Sequence, residues 1–271
     1  MAIVECSYYS QALLGMTKMT VYLPTPSSTD WQEGKAKEHP FYLGKRFPVY
    51  YLLHGICEDS STILRKTRIE SYAQKAGIAV VMPEGENSFY LNPVWGRPYE
   101  TLIAEELPLF IRDTFPVSDR REETWIGGFS MGGYGALRLA LKYSETFGKV
   151  TAYSGCYDIG ALAALTGKRG EGYFPVQPEA FAGADLKELR GTDADIYRLA
   201  EVLTETELPR PEIFLSCGMD DSLYPMHEKT QDVFSELGIS YTAQEAEGGH
   251  DWDYWDPALR EGISWLIGTE D

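Results

Sequence analysis

One stretch constrains this chain more than any other: Thr124–Ala136, reading Thr-Trp-Ile-Gly-Gly-Phe-Ser130-Met-Gly-Gly-Tyr-Gly-Ala. It holds Gly128-x-Ser130-x-Gly132 between a short apolar run and a helical pattern. That order predicts a strand, a sharp turn and a helix, with the serine at the turn and its hydroxyl lifted clear of a sheet. A serine near positive φ needs neighbours without Cβ, and the flanking glycines supply them. Gly133, Gly135 and Ala136 let the following helix press close to the strands. The pattern alone also fits an ordinary turn, so it gains meaning only from partners elsewhere in the chain.

The rest of the sequence alternates strands and helices. Residues 2–9 and 17–23 read as a starting hairpin, and Pro24–Arg46, rich in Pro and Gly, as a surface loop. Val49–Leu53 and Ile78–Met82 are continuous apolar runs, as expected for strands buried on both faces. A helix is expected over Ser60–Ala76, stopped by Gly77, and a loop over Glu84–Tyr99. Thr101–Thr114 is helical, with Pro108 kinking it or opening a second turn. Strands follow at Thr124–Phe129, Lys149–Ser154, Glu212–Ser216 and Tyr241–Ala246. Helices follow at Met131–Tyr143 and Tyr224–Leu237, the latter with Gly238 as a left-handed cap. Asp256-Pro257 reads as the N-cap and first-turn proline of the last helix, which buries Trp255, Leu259, Ile263, Leu266 and Ile267. This alternation predicts an α/β fold with a mostly parallel central sheet and helices on both faces. Residues 1–271 form a single domain in this reading. The segment from about 156 to 210 breaks the rhythm and is read as a cap insertion over the site, with Tyr157, Tyr173, Phe174, Phe181 and Tyr197 in it.

The 271 residues are 44% hydrophobic and 24% charged, enough for one substantial core. The net charge of −17 repels phosphate backbones and anionic lipid, so neither nucleic acid nor a membrane is expected as a partner. A homo-oligomer is compatible with such a chain. The N-terminus lacks a basic segment followed by an apolar run, so no signal peptide is expected, and no run is long enough to span a membrane. Cys6, Cys57, Cys156 and Cys217 are widely spaced and read as reduced, mostly buried thiols of a cytoplasmic protein.

Ser130 needs a base, because a serine hydroxyl is a poor nucleophile at neutral pH. Of the four histidines, His39 lies in the early loop, His54 ends a strand and His227 starts a helix. His250 follows the last strand, in Glu247-Gly-Gly-His250-Asp-Trp. Catalytic groups of open α/β sheets gather at the carboxyl ends of strands, where Ser130 and His250 both fall. An acid to orient the imidazole should follow a strand between them, and Ser216-Cys-Gly-Met-Asp220-Asp221 fits, with either aspartate eligible by spacing. Acyl transfer also needs two backbone N–H groups for the developing oxyanion: Met131, after the serine, and Ile56, in the loop after His54-Gly55. His250, Asp251 and Asp253 have no second histidine or cysteine at ligand spacing, so no metal is expected. No phosphate-binding or dinucleotide fingerprint occurs, so no cofactor is expected. Cys57 has no base specified for it and reads as a structural thiol.

With these residues the chain resembles the esterase D-like branch of the α/β-hydrolases, most of all the bacterial tributyrin esterase group. The matching pieces are Tyr8-Tyr9-Ser10, Tyr51-Leu-Leu-His-Gly55, Gly128-Phe-Ser-Met-Gly-Gly-Tyr-Gly-Ala136, Cys217-Gly-Met-Asp-Asp221-Ser-Leu-Tyr and Gly248-Gly-His-Asp-Trp252. The resemblance implies an α/β-hydrolase fold and a Ser130, Asp221, His250 triad, with Asp221 as the third residue after the glycine of the Cys-Gly pair. It implies a small-molecule ester as substrate: short acyl (acetyl to butyryl) esters, acetylated sugars, hydroxycinnamoyl esters or S-formylglutathione. Gly-Phe-Ser stands where S-formylglutathione hydrolases typically carry Gly-His-Ser. The expectation is a serine carboxylesterase. A thioesterase of the S-formylglutathione hydrolase type or an acyltransferase is the alternative, ahead of a non-catalytic binding module.

Overall fold

The computed structural model describes residues 1–160 and 186–269. One eight-stranded sheet organises it, in the order β1-β2-β4-β3-β5-β6-β7-β8. The strands are β1 (Ala2–Ser10), β2 (Gly15–Leu23), β3 (Val49–Leu53), β4 (Ala79–Pro83), β5 (Thr124–Phe129), β6 (Lys149–Tyr153), β7 (Glu212–Gly218) and β8 (Thr242–Ala246). β1 and β2 form the expected hairpin and β2 joins β4 antiparallel; every other pairing is parallel.

The apolar runs have a direct explanation. Val49, Tyr51 and Leu53 of β3 face one core, and Tyr50 and Leu52 the other. A two-residue period therefore shows no polar face when both sides of the sheet are covered. Fully burying side chains of this size contributes roughly 1.5–3 kcal/mol each. One face is covered by α5 (Leu107–Thr114), α6 (Met131–Lys142), α7 (Ile196–Thr204) and α8 (Tyr224–Glu236). The other is covered by α2 (Thr62–Lys66), α3 (Ile69–Ala76) and α9 (Trp252–Leu266). Gly77 and Gly238 sit at φ +66° and +67°, past the ends of α3 and α8.

Four expectations need correction. The loop over 24–46 contains α1 (Ser28–Gln32), because Ser27 and Asp30 form a reciprocal capping box. The helix over 60–76 is two helices: extended Thr67 ends α2, and its hydroxyl donates to Ile63 O (2.8 Å) and accepts from Ile69 N (3.2 Å). The last helix starts one turn earlier than Asp256-Pro257. Asp251 is its N-cap, accepting from Asp253 N and Tyr254 N, and Pro257 lies inside it. Asp256 instead accepts from Arg68 N (2.8 Å) and Tyr72 Oη (3.0 Å), tying α9 to α3. Cys57 is exposed, not buried, with φ +63°.

Between Tyr99 and Thr114 the chain runs through α4 (Tyr99–Thr101), a π-helical stretch (Leu102–Glu106) and α5. Pro108 stands in the first turn of α5, where its missing N–H and ring are tolerated. Of the expected cap, Tyr157 is fully buried and Tyr197 is half-buried on α7. Tyr173, Phe174 and Phe181 lie outside the described residues. No helix among the described residues is long and apolar enough to cross a membrane.

Candidate active site

β5 ends at Phe129 and α6 begins at Met131, leaving Ser130 alone in the turn. Its backbone sits at φ 54°, ψ −113°, a conformation that costs a non-glycine residue energy. Close packing holds it there. A Cβ on Gly128 would run into the Gly132 carbonyl, and one on Gly132 into the Leu53 and His54 carbonyls of β3. Ser130 N–H donates to Tyr153 O on β6 (2.9 Å).

The other two side chains arrive on loops leaving β7 and β8 at the same edge of the sheet. These loops interlock: Asp220 N–H donates to Gly248 O (3.0 Å), and Gly248 takes φ +145°, open only to glycine. His250 Nδ1 lies 2.8 Å from Asp221 Oδ2, and His250 Nε2 lies 2.9 Å from Ser130 Oγ. An ionised carboxylate only accepts, so Nδ1 carries the imidazole proton and Nε2 is left to accept from the serine. The Asp221 side chain is fully buried, whereas that of His250 is 33% exposed and open to a substrate. Burial pushes the Asp221 carboxyl up. Hydrogen bonds from His250 and Leu223 N–H outweigh it and hold the carboxyl below its ordinary value. Trp255 meets the His250 ring edge-on, at 4.8 Å between centroids.

The second aspartate open on spacing, Asp220, is exposed and uses its backbone rather than its carboxylate. His39 accepts from Phe41 N–H in the early loop. His227 is buried on α8, 3.3 Å from Glu245 Oε1, and burial holds its pKa down. Asp251 is occupied as a helix cap, and the described residues hold no group of ligands able to bind a metal ion. Burial pushes the Cys156 and Cys217 thiols up to about 12, which keeps them protonated and inert.

The loop after β3 shows why Ile56 stands apart. Gly55 N–H donates to Glu58 Oε2 (2.8 Å) and Cys57 N–H to Asn87 Oδ1 (2.7 Å). The Ile56 N–H between them makes no hydrogen bond within the described residues. Met131 is the first residue of α6, so its N–H has no intrahelical acceptor. Sequence reasoning missed the three side chains that hold this loop. Glu58 and Asn87 bind its amides. His54, fully buried, accepts from Gly85 N–H at Nε2 (2.9 Å), which leaves Nδ1–H to donate to Gly55 O (2.7 Å). Glu58 stood three residues from Gly55 in sequence; Asn87, thirty residues from Cys57, left no comparable signal.

A family model described as "Putative esterase" matches residues 10–266. The chain is 33% identical to an acetyl esterase of Caldicellulosiruptor saccharolyticus, over the whole of both proteins. Two solved Staphylococcus aureus structures superpose with TM-scores of 0.83 at 29% identity. One is the fluorophosphonate-binding serine hydrolase FphF with substrate bound, covering 100% of this chain and 99% of its own. The other is the S-formylglutathione hydrolase FrmB, covering 98% of each. An α/β-hydrolase sheet whose elbow serine meets a histidine thus coincides with a family match over nearly the whole length. The chain belongs to the esterase family, on its esterase D-like branch, and is a carboxylic ester hydrolase.

Proposed function

We propose that the protein is a serine esterase of short-chain acyl esters, acetyl to butyryl, working through an acyl-enzyme on Ser130. One observation carries this reading: the unbroken hydrogen-bond chain from Ser130 Oγ through His250 to buried Asp221, at 2.9 and 2.8 Å. Ser130 Oγ attacks the ester carbonyl as His250 Nε2 takes its proton. The carbonyl oxygen becomes an oxyanion, for which the Ile56 and Met131 N–H groups are the donors in this reading. Asp221 holds the imidazole tautomer and stabilises the imidazolium. His250 then gives the proton to the leaving alkoxide, and water repeats the sequence to free the acid. The acetyl esterase relative supports an acetyl substrate. The S-formylglutathione hydrolase neighbour supports a thioester as the second reading.

The test is a panel of nitrophenyl esters from acetate to dodecanoate, with feruloyl esters and S-formylglutathione alongside. A serine-directed organophosphonate, with mass mapping of the adduct, accompanies it. Activity should peak at a short acyl chain, and the adduct should map to Ser130. A rising profile out to dodecanoate would overturn the short-chain assignment. Preference for S-formylglutathione would favour the second reading, and turnover without any Ser130 adduct would refute the serine mechanism.

A further inference from the structure

The loop after β3 leaves the Ile56 N–H without a hydrogen bond within the described residues, and the peptide planes on either side of Ile56 are each tied to a side chain. The peptide joining Gly55 to Ile56 carries Gly55 O on one edge and the Ile56 N–H on the other. A trans peptide is planar, so these two groups point in opposite directions and turn together. His54 Nδ1–H donates to Gly55 O (2.7 Å). The next peptide carries the Cys57 N–H, which donates to Asn87 Oδ1 (2.7 Å). That plane needs a partner, because Cys57 takes φ +63°, a left-handed conformation that costs a residue with a Cβ energy. The holders are themselves held. His54 is fully buried and its Nε2 accepts from Gly85 N–H (2.9 Å), so the ring cannot turn without leaving a buried amide unpaired. Glu84 Oε1, 3.6 Å from the same nitrogen, is beyond hydrogen-bond reach. Tyr90 Oη donates to His54 O (2.9 Å). Gly85, Asn87 and Tyr90 all belong to the loop after β4, so one loop braces the other.

We propose that His54 and Asn87 are positioning residues for the reaction: together they lock the two peptide planes that meet at the Ile56 Cα, and so fix the direction of the Ile56 N–H. This rests on the reading of Ile56 as an oxyanion donor. His54 acts on the donor's own plane. Holding Gly55 O turns the Ile56 N–H away from the imidazole, and a hydrogen bond to the carbonyl of a peptide polarises its N–H into a better donor. Asn87 acts one plane further on and closes the remaining rotation about Ile56. Glu58 takes the Gly55 N–H (2.8 Å), so the amide before Ile56 and the amide after it are both engaged and only the one between them is left to a substrate. A donor held in place costs no reorganisation when charge develops on the carbonyl oxygen. A donor free to rotate stabilises that charge less, while the uncharged ester binds almost as before.

The experiment compares His54→Gln, His54→Asn and Asn87→Ala with the parent in two assays. The first is nitrophenyl acetate turnover. The second is inhibition by an alkyl trifluoromethyl ketone. Ser130 Oγ adds to the ketone carbon, the serine proton passes to His250 Nε2, and the ketone oxygen becomes the oxyanion, so affinity for the ketone reports on the donors. Removing an oxyanion donor outright costs about 10²–10³-fold in kcat, and misaiming one should cost less. His54→Gln should therefore lower kcat by roughly tenfold to a hundredfold and Asn87→Ala by roughly tenfold, with KM little changed and ketone affinity falling in step with kcat. In His54→Asn the side-chain amide stands about where Nδ1 stood and can still donate to Gly55 O, so this variant should recover much of the loss. A merely structural role would lower Tm and leave ketone affinity and kcat in place in the folded protein. Parent-like kcat and ketone affinity in His54→Gln overturn the proposal. If His54→Gln does not fold, parent-like values in Asn87→Ala, a half-buried loop position, overturn it instead. The amide proton resonance of Ile56 in the parent separates the two readings: if it does not move when the ketone adduct forms, Ile56 is not an oxyanion donor and that reading has itself failed.

Discussion

Ser130 is held in a backbone conformation its side chain disfavours, between glycines that could not be otherwise. Ser130→Ala keeps that backbone and removes only the Oγ. It should lower kcat by roughly 10⁴-fold while Tm stays near the parent's, because binding and the N–H donors remain. A variant keeping a tenth of the activity would exclude Ser130 as nucleophile. Asp221→Asn should likewise cost on the order of 10⁴-fold, since an amide cannot stabilise imidazolium, and Asp220→Asn far less. The reverse ranking would move the acid to Asp220. Asp221, depressed below its ordinary value, stays ionised as the pH falls to mildly acid, so kcat/KM should decline through one limb only, that of the base. That Ser130 and His250 would meet was legible, because each follows a strand at the same edge of the sheet. The choice between adjacent aspartates was not, because spacing cannot say which of two neighbours turns inward; the family resemblance named Asp221, and the fold buries it.

At the scale of elements, the turn at Ser130 keeps its shape only if α6 lies almost on the backbone of β3. Gly132 makes that contact: a Cβ there would enter the space of the Leu53 and His54 carbonyls, which are backbone and cannot swing aside. Gly132→Ala should therefore lose activity and stability together, by about 1–3 kcal/mol or more. A parent-like melting curve and kcat would show that the elbow tolerates slack. Here sequence reasoning read β5 and the start of α6 correctly, since glycine spacing and apolar runs are local signals. It failed where a side chain replaced a local rule. Thr67 splits a helix with its own hydroxyl. Asp256, a good N-cap residue standing before a proline, is drawn to Arg68 and Tyr72 on α3, so the cap falls to Asp251 five positions earlier. Local preference names residues able to cap; tertiary partners decide which of them does.

Across the whole molecule, the least legible feature is a buried charge network that ties the α4 region to α6 and the segment before α7. Arg138 is fully buried, and its guanidinium lies 2.5 Å from Glu100 Oε2 while donating from Nε to Asp193 O (2.7 Å). Lys142 Nζ lies 2.5 Å from Glu100 Oε1 and also pairs with Asp193, and Tyr143 Oη donates to Glu100 (2.9 Å). The partners lie tens of residues apart, so no periodicity or spacing announces them. Burial pushes the Glu100 carboxyl up, but Arg138 and Lys142 outweigh it and bring it below its ordinary 4.5. Glu100→Gln would leave the buried Arg138 charge without its nearest carboxylate, with only Asp193 Oδ2 at 3.8 Å remaining, which should cost up to about 3–5 kcal/mol. The sign with pH follows from the depressed carboxyl. Its stabilising contribution is fully present above 4.5 and is lost as the pH falls through the lower folded value. The Tm gap between parent and Glu100→Gln should therefore be widest near neutral pH and narrow on acidification. The exposed Arg120–Glu123 pair, by contrast, should show almost no gap when Glu123 becomes Gln. A gap for Glu100→Gln that stays constant from neutral pH down to about 3 would mean that the carboxylate's charge is not what holds these helices together.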